Sequence, residues 1–156
     1  MSPRTAIPTG PHTAAEVEGA SMASEHRAQI EALLAAWAHC IDSGRATDAI
    51  GLFTQDAEQT LASSTSKGQD AIRAGLERRQ ALTGRTTRHL VSNLLLQPLD
   101  GGQRLRGRWV LTLFRSDSAQ RPTTIQLVAD VEDEYAQVDG NWRVARRTLT
   151  PVFGTP

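Results

Sequence analysis

The stretch Arg88-His89-Leu90-Val91-Ser92-Asn93 has the composition of the first part of a long β-strand. It contains the only histidine of the chain that lies within a convincing strand pattern. An imidazole titrates near neutral pH, so a histidine that faces a cavity is a candidate general acid or base. His89 is therefore the first candidate functional residue, and its partner must come from an element packed against this strand.

Length and charge restrict the class of protein. Of the 156 residues, 17 are Lys or Arg and 17 are Asp or Glu, so the formal net charge is zero. This length predicts one domain, and the balanced charge argues against a nucleic-acid partner, which favours a basic surface. No apolar run is long enough for a transmembrane helix and no secretory signal is recognisable, so we expect no membrane partner.

Cysteine content and binding motifs bear on location and cofactors. Cys40 is the single cysteine, which suits a reducing cytoplasm. The sequence has no CxxC, HExxH, P-loop or GxGxxG motif. We therefore expect a cytoplasmic protein with no cofactor and no metal.

The first half of the chain is predicted to be mainly helical. Residues 1–24 are rich in Pro, Gly, Ala, Ser and Thr, which predicts a disordered leader before a domain at residues 25–153. From Glu25, apolar residues at helical spacing predict an amphipathic helix: Ile30, Leu33, Leu34, Trp37 and Ile41. After it we expect a short helix at 47–53, a brief strand at 57–62, a polar loop at 63–68 and a helix at 70–82.

The second half is predicted to be a meander of strands. Val, Leu, Thr and Trp are frequent at residues 86–98, 103–115, 123–137 and 141–149, with turn sequences between them. Helices followed by strands indicate an α+β fold. A hairpin centred on Ala119 gives three opposite-charge pairs on one face, which supports this register: Arg104 with Glu134, Arg106 with Glu132 and Arg108 with Asp130.

The register also assigns residues to the two faces of the sheet. It places five pairs on the apolar, helix-covered face: His89 with Leu113, Val91 with Leu111, Asn93 with Trp109, Asp133 with Arg146, and Tyr135 with Val144. A few polar groups on an apolar wall predict a pocket for a small, partly apolar molecule. The ion pair of Asp133 with Arg146 is more typical of a structural role.

The opposite, outer face of the sheet is not uniformly polar. Apolar residues are expected there beside the charged pairs: Leu90, Leu94, Leu96, Val110, Phe114 and Val128. Because the helices cover the other face, a second subunit is the simplest partner for these residues. We expect a homo-oligomer, either a dimer or a trimer, that forms through this face.

Four segments carry a resemblance to a known family. They are Trp37–Gly44 (Trp-Ala-His-Cys-Ile-Asp-Ser-Gly), Gly68–Ile72 (Gly-Gln-Asp-Ala-Ile), Arg88–Asn93, and Asp139–Arg147 (Asp-Gly-Asn-Trp-Arg-Val-Ala-Arg-Arg). Residues 25–153 resemble the SnoaL-like family of the nuclear-transport-factor-2-like superfamily. The resemblance implies a cone-shaped α+β fold, with a curved mixed or antiparallel sheet wrapped around about three N-terminal helices and an internal cavity.

Within this superfamily the sequence is similar to scytalone dehydratase and the bile-acid dehydratases. These enzymes pair an Asp near the end of the first helix with a His early in the long strand, and Asp42 and His89 match those positions. The sequence departs from scytalone dehydratase elsewhere. Ile41 and Val131 replace a tyrosine and a polar amide, and residues 103–115 lack the second catalytic histidine.

The residues and the resemblance together predict a site. Asp42 and His89 are its candidate catalytic residues, although Asp42 is equally suited to a helix-end cap and His89 to a hydrogen-bonded core position. The expected substrate-binding residues are Trp37, Ile41, Phe53, Val91, Asn93, Trp109, Val131 and Tyr135. Core packing is the alternative role for Trp37.

Three functions are compatible with such a site. The first is a cofactor-free acid/base enzyme, a dehydratase-like lyase or an isomerase, acting on a small cyclic carbonyl or hydroxy compound. The second is a non-catalytic ligand-binding module or the small subunit of a ring-hydroxylating oxygenase, because residues 88–93 also resemble that subunit. The third is a polyketide cyclase.

Overall fold

One curved, unclosed mixed sheet forms most of the fold. The computed structural model describes residues 14–118 and 124–154, with side chains from Glu25 onward. Its helices are α1 Ala14–Asp42, the 3-10 helix Ala46–Leu52 and α2 Gly68–Gln80, with a 3-10 turn at Asp100–Gly102. Its strands are β1 Phe53–Leu61, β2 Ser64–Lys67, β3 Thr86–Leu99, β4 Arg104–Ser116, β5 Ile125–Val138 and β6 Asn141–Gly154. No helix in these ranges is long and apolar enough to cross a membrane.

Helix α1 is longer than predicted. It begins at Ala14 instead of near the predicted start at Glu25, so residues 14–24 are helical, while residues 1–13 of the predicted leader lie outside the described ranges. Alanine, glutamate and methionine in this segment favour a helix more than Gly19 disfavours it. The predicted apolar stripe of this helix is confirmed, because all five of its side chains are buried: Ile30, Leu33, Leu34, Trp37 and Ile41.

The sheet has the strand order β2-β1-β6-β5-β4-β3, so β2 and β3 are its edges. Strand β1 is parallel to β6, and the other pairs are antiparallel. Strand β2 was predicted to be a polar loop. Its pairing with β1 includes a hydrogen bond between the Thr60 and Thr65 hydroxyls at 2.9 Å and an ion pair of Lys67 with Glu58 at 3.2 Å.

The predicted pairing of the first long hairpin is confirmed at one end and wrong at the other. His89 lies opposite Leu113 and Val91 opposite Leu111, as expected. An irregularity between Ser92 and Leu95 then adds one residue to β3. Beyond this bulge Leu94 and Leu96 pack against the core instead of facing outward, and Leu95 is exposed. Bulges bend a strand and increase its twist, which contributes to the curvature of the sheet.

The charged pairs between β4 and β5 form in a register shifted by two residues. Arg108 lies opposite Glu132, and Arg106 lies opposite Glu134. The Nε of Arg108 donates to Glu132 at 2.9 Å. A two-residue shift keeps each side chain on its face, because side chains alternate with a period of two. The predicted charged outer face is therefore present. The residues directly opposite one another differ from those predicted, but Arg104 with Glu134 and Arg106 with Glu132 still form ion pairs across the diagonal, at 3.4 and 3.6 Å.

Candidate active site

The end of α1 and the start of β3 bring Asp42 and His89 together. The Nδ1 of His89 lies 2.6 Å from Oδ1 of Asp42, and the backbone N–H of His89 donates to Oδ2 at 2.8 Å. The side chain of His89 is only 10% exposed, and that of Asp42 is only 13% exposed. These bonds satisfy a carboxylate whose place at the C-terminus of a helix is electrostatically unfavourable. The pair is therefore held by one side-chain and one backbone contact.

The protonation of this pair follows from its contacts. Burial raises the pKa of Asp42, but the hydrogen bonds and charge of His89, together with Thr87, outweigh burial and lower that pKa below its ordinary value. The ionised carboxylate only accepts hydrogen bonds, so Nδ1 of His89 carries the proton. In the neutral imidazole the remaining nitrogen, Nε2, is therefore the basic atom.

Two residues that the sequence reasoning missed complete the network. The hydroxyl of Thr87 donates to Oδ1 of Asp42 at 2.8 Å and accepts from Nη2 of Arg79 at 2.9 Å. Thr87 is buried, two residues before His89 on the same strand, so the two side chains share a face. The alternation of side chains along β3 could have identified Thr87 from sequence. Arg79 could not be identified in this way, because its place in the network depends on how α2 packs against β3.

His89 borders a cavity of about 370 Å³ that lies between the curved sheet and the helices α1 and α2, and we call it the cone cavity. Its apolar wall consists of Trp37, Ile41, Leu61, Leu76, Leu111, Leu113, Leu127 and Leu149. The ring of Trp37 is edge-on to the imidazole of His89, with 5.2 Å between the ring centroids. Among the predicted binding residues, Trp37 and Ile41 thus lie in this wall.

A second space lies between α1 and β3, and we call it the α1–β3 groove. It has a volume of about 740 Å³ and is bordered by Asp42, His89, Val91 and Asn93. Asn93 is exposed and has a φ of 57°, since it lies in the bulge of β3. Its predicted position beside Trp109 on the inner face is therefore wrong. Val91 also faces the groove instead of the cone cavity.

The other predicted binding residues lie deeper in the protein than expected. Phe53 and Tyr135 are fully buried, Trp109 and Val131 are 2% exposed, and none of the four borders the cone cavity. Trp109 and Tyr135 instead donate hydrogen bonds to Oδ2 of Asp133, at 3.0 and 2.8 Å. Burial and the charge of Asp133 raise the pKa of Tyr135, which keeps its hydroxyl protonated as a donor. These four side chains therefore belong to the core next to the site and do not line the cavity.

The ion pair of this buried network involves Arg147, not the predicted Arg146. A bulge between Glu134 and Tyr135 shifts β6 by one residue, so Arg147 lies opposite Asp133. Its Nε and Nη2 bind the two oxygens of Asp133, both at 2.7 Å. The guanidinium of Arg147 also lies 4.6 Å from the ring centroid of Trp37. The pair thus fixes an aromatic ring that contacts His89.

No group of three or more His, Cys, Asp or Glu residues in the described ranges is arranged to hold a metal ion. The ionisable groups that border the cone cavity are His89, which contacts Asp42 on its other side, and four arginines. Such a site can exchange protons with a molecule in the cavity and attract negative charge.

Comparisons with known proteins identify similar sequences and folds. A SnoaL-like domain model matches residues 22–148. No curated protein has a significantly similar sequence. Two similar structures come from Novosphingobium aromaticivorans. One, assigned as a scytalone dehydratase, is 24% identical with a TM-score of 0.76, and the match covers 86% of this chain and 89% of that one.

The other is the beta subunit assigned to an aromatic-ring-hydroxylating dioxygenase, which is 16% identical with a TM-score of 0.75. That match covers 86% of this chain and 93% of the subunit. Aln2 from a Streptomyces species is 21% identical with a TM-score of 0.72, over 81% of this chain and 90% of Aln2. At these identities the likeness shows the shared fold alone.

Proposed function

Because the chain belongs to the SnoaL-like family, we propose that it is a cofactor-free acid/base enzyme, either a dehydratase-like lyase or an isomerase. Its substrate is a small, cyclic, partly apolar carbonyl or hydroxy compound. The observation that carries this proposal is the 2.6 Å contact between His89 and Asp42 at the wall of the cone cavity. This arrangement combines a general base with a carboxylate that orients it.

The reaction begins with proton transfer to His89. Nε2 takes a proton from the carbon next to the substrate carbonyl, and the electron pair of that C–H bond forms an enolate. The imidazolium that results is stabilised by the carboxylate of Asp42. In dehydration, the enolate expels a hydroxyl group as a C=C bond forms, and Nε2–H supplies the proton that makes it water. In isomerisation, the same proton returns to a different carbon.

The size and polarity of the cone cavity support this substrate class. A volume of about 370 Å³ lies within the usual range of small-molecule sites. Trp37, Ile41 and several leucines provide an apolar surface for a ring system, while His89 lies at its edge. Cyclisation of a polyketide would use the same proton-transfer step, with carbon–carbon bond formation after the enolate.

The proton-transfer step is tested with 2-tetralone, a bicyclic ketone whose acidic α-protons exchange in D2O at a rate measurable by NMR. We expect the wild-type protein to accelerate this exchange, and the acceleration to fall about 100-fold or more in His89→Ala. Asp42→Asn should also lower it, because the imidazolium loses its carboxylate. His26→Ala and Asp48→Asn are matched controls, since neither residue borders the cone cavity. Equal acceleration in all five proteins would eliminate His89 as the base.

A non-catalytic role as an oxygenase-type subunit is the second candidate. It is favoured by the similarity to a dioxygenase beta subunit and by exposed apolar side chains on the strands, namely Leu90, Leu95 and Phe153. Either role would be compatible with assembly through the outer sheet face. Light scattering of the purified chain distinguishes them. A stable dimer of 16.9 kDa chains that exchanges tetralone protons favours the enzyme, whereas an inactive trimer or a need for a partner chain favours the subunit.

A further inference from the structure

Four arginines border the cone cavity. Arg78 and Arg79 come from the last turn of α2, Arg85 precedes β3, and Arg115 lies near the end of β4. Within the described ranges, none of the residues that border this cavity carries a carboxylate. The chain as a whole has no net charge, so this concentration of positive charge is a local feature.

The carboxylates that pair with these arginines neutralise only part of their positive charge. Arg85 and Arg115 share one carboxylate, that of Asp117, at 2.7 and 2.9 Å. Arg79 donates to the neutral hydroxyl of Thr87. The side chain of Arg78 has no hydrogen bond or ion pair with any residue in the described part of the chain. Two carboxylates therefore act on four guanidinium groups: Asp117, which is half exposed, and Asp42, which is linked to Arg79 through Thr87.

The arginines also affect one another. Burial lowers the pKa of Arg79, and the neighbouring charges of Arg85 and Arg115 lower it further, although Asp42 and Asp117 act in the opposite direction. Assembling like charges beside a cavity with an apolar wall costs free energy, which a bound anion would offset. Guanidinium groups are well suited to this task, since they bind carboxylates through two parallel hydrogen bonds.

We infer that the ligand of the cone cavity carries a carboxylate, which these arginines bind while its ring occupies the apolar wall beside His89. This inference deepens the proposed function, on which it depends for the reacting carbon but not for anion binding. Arg79, Thr87, Asp42 and His89 form one chain of hydrogen bonds of 2.9, 2.8 and 2.6 Å. A carboxylate fixed at one end of this chain would hold the ring at a constant distance from Nε2, and such positioning accelerates reactions.

The inference is tested by calorimetry with 2-naphthoate and with its neutral counterpart 2-naphthamide. We expect the wild-type protein to bind the acid about tenfold more tightly than the amide, a difference of about 1.4 kcal/mol. The double substitution Arg78→Gln/Arg115→Gln should remove this preference, because it weakens binding of the acid far more than binding of the amide. Arg73→Gln, on the exposed surface of α2 and away from the cavity, is the matched control and should keep the preference.

Three results would overturn the inference: equal affinities for acid and amide in the wild type, a preference that survives the double substitution, or binding of neither compound. If the double variant does not fold, Arg78→Gln alone serves, since this side chain has no partner in the described ranges. Added NaCl should then weaken binding of the acid and not of the amide.

The two proposals fail in distinguishable ways. If the wild type prefers the acid but does not accelerate tetralone exchange, the protein is an anion-binding module and the enzymatic proposal is wrong. If exchange depends on His89 but no acid preference exists, only the carboxylate site is wrong. His89→Ala should itself retain the preference for 2-naphthoate, because the arginines that create the preference are unchanged.

Discussion

Arg147 and Asp133 form a two-point ion pair in which both side chains are almost fully buried, with exposed fractions of 1% and 0%. Burial alone would lower the pKa of Arg147, but Asp133 raises it above its ordinary value, so the arginine stays charged. Donors from Trp109 and Tyr135 complete the shell of hydrogen bonds around Asp133. The pair joins β5 to β6 directly beneath the ring of Trp37.

Removing one member of this pair should destabilise the protein strongly. Arg147→Met leaves a buried carboxylate without its cation, and we expect the free energy of unfolding in urea to fall by about 3–5 kcal/mol. Arg146→Met is the adjacent control. Arg146 is 59% exposed and lies 4.0 Å from Glu134, so its loss should have little effect. Similar destabilisation by both substitutions would contradict the register of β6.

Thr87 is a positioning residue for the Asp42–His89 pair, and its hydroxyl has a testable role. Thr87→Val keeps the shape of the side chain but removes the bonds to Asp42 and Arg79. We expect the acceleration of tetralone exchange to fall about tenfold and the pH profile of exchange to move, because Asp42 loses a donor. Thr87→Ser should restore both the rate and the profile. A loss of stability with an unchanged pH profile would indicate that Thr87 only fills space.

The lowered pKa of Asp42 predicts how stability depends on pH. A carboxyl group whose pKa is lower in the folded state than in the unfolded state stabilises the fold above the unfolded value, near 3.8. This contribution is lost as the pH falls from that value through the folded pKa. The gap in unfolding free energy between wild type and Asp42→Asn should therefore narrow as the pH falls below about 4. Urea unfolding at a series of pH values below about 5 measures this gap, and a gap that widens below about pH 4 would reverse the assigned sign.

Substitution of Gly107 tests how tightly β4 packs against Tyr135 and Leu96. A Cβ atom added at this position would lie 2.8 Å from Cε2 of Tyr135 and 3.4 Å from Cδ2 of Leu96. Both neighbours are packed in the core, so we expect Gly107→Ala to cost about 1–3 kcal/mol of stability. Gly51→Ala, where a Cβ meets nothing within 4 Å, is the control and should be neutral or slightly stabilising. Thermal unfolding of both variants provides the comparison.

The positions of the site residues could be predicted from sequence only where the periodicity of a helix or strand determines which face a side chain occupies. Asp42 ends a helix with a clear apolar stripe, and His89 lies in a strand with a clear alternation, so their faces could be assigned from sequence. Arg79 and Arg115 could not be placed there, because their positions depend on how α2 and β4 pack in three dimensions. Asn93 and Arg147 were misplaced for a different reason. Bulges in β3 and β6 change the pairing by one residue, and no local composition marks them.

The bulge at Asn93 affects how the α1–β3 groove can change in shape. Before the bulge His89 and Val91 lie opposite Leu113 and Leu111, and beyond it Leu94 and Leu96 pack inward, so the inserted residue bends β3 and keeps its apolar residues inside. The length of β3 and the shape of the α1–β3 groove can therefore change while the residues of the core stay the same. Deleting Asn93 would straighten the edge strand and reshape the α1–β3 groove while every buried leucine kept its place. In this fold, a change of one residue in strand length can remodel a binding space without any change in the core.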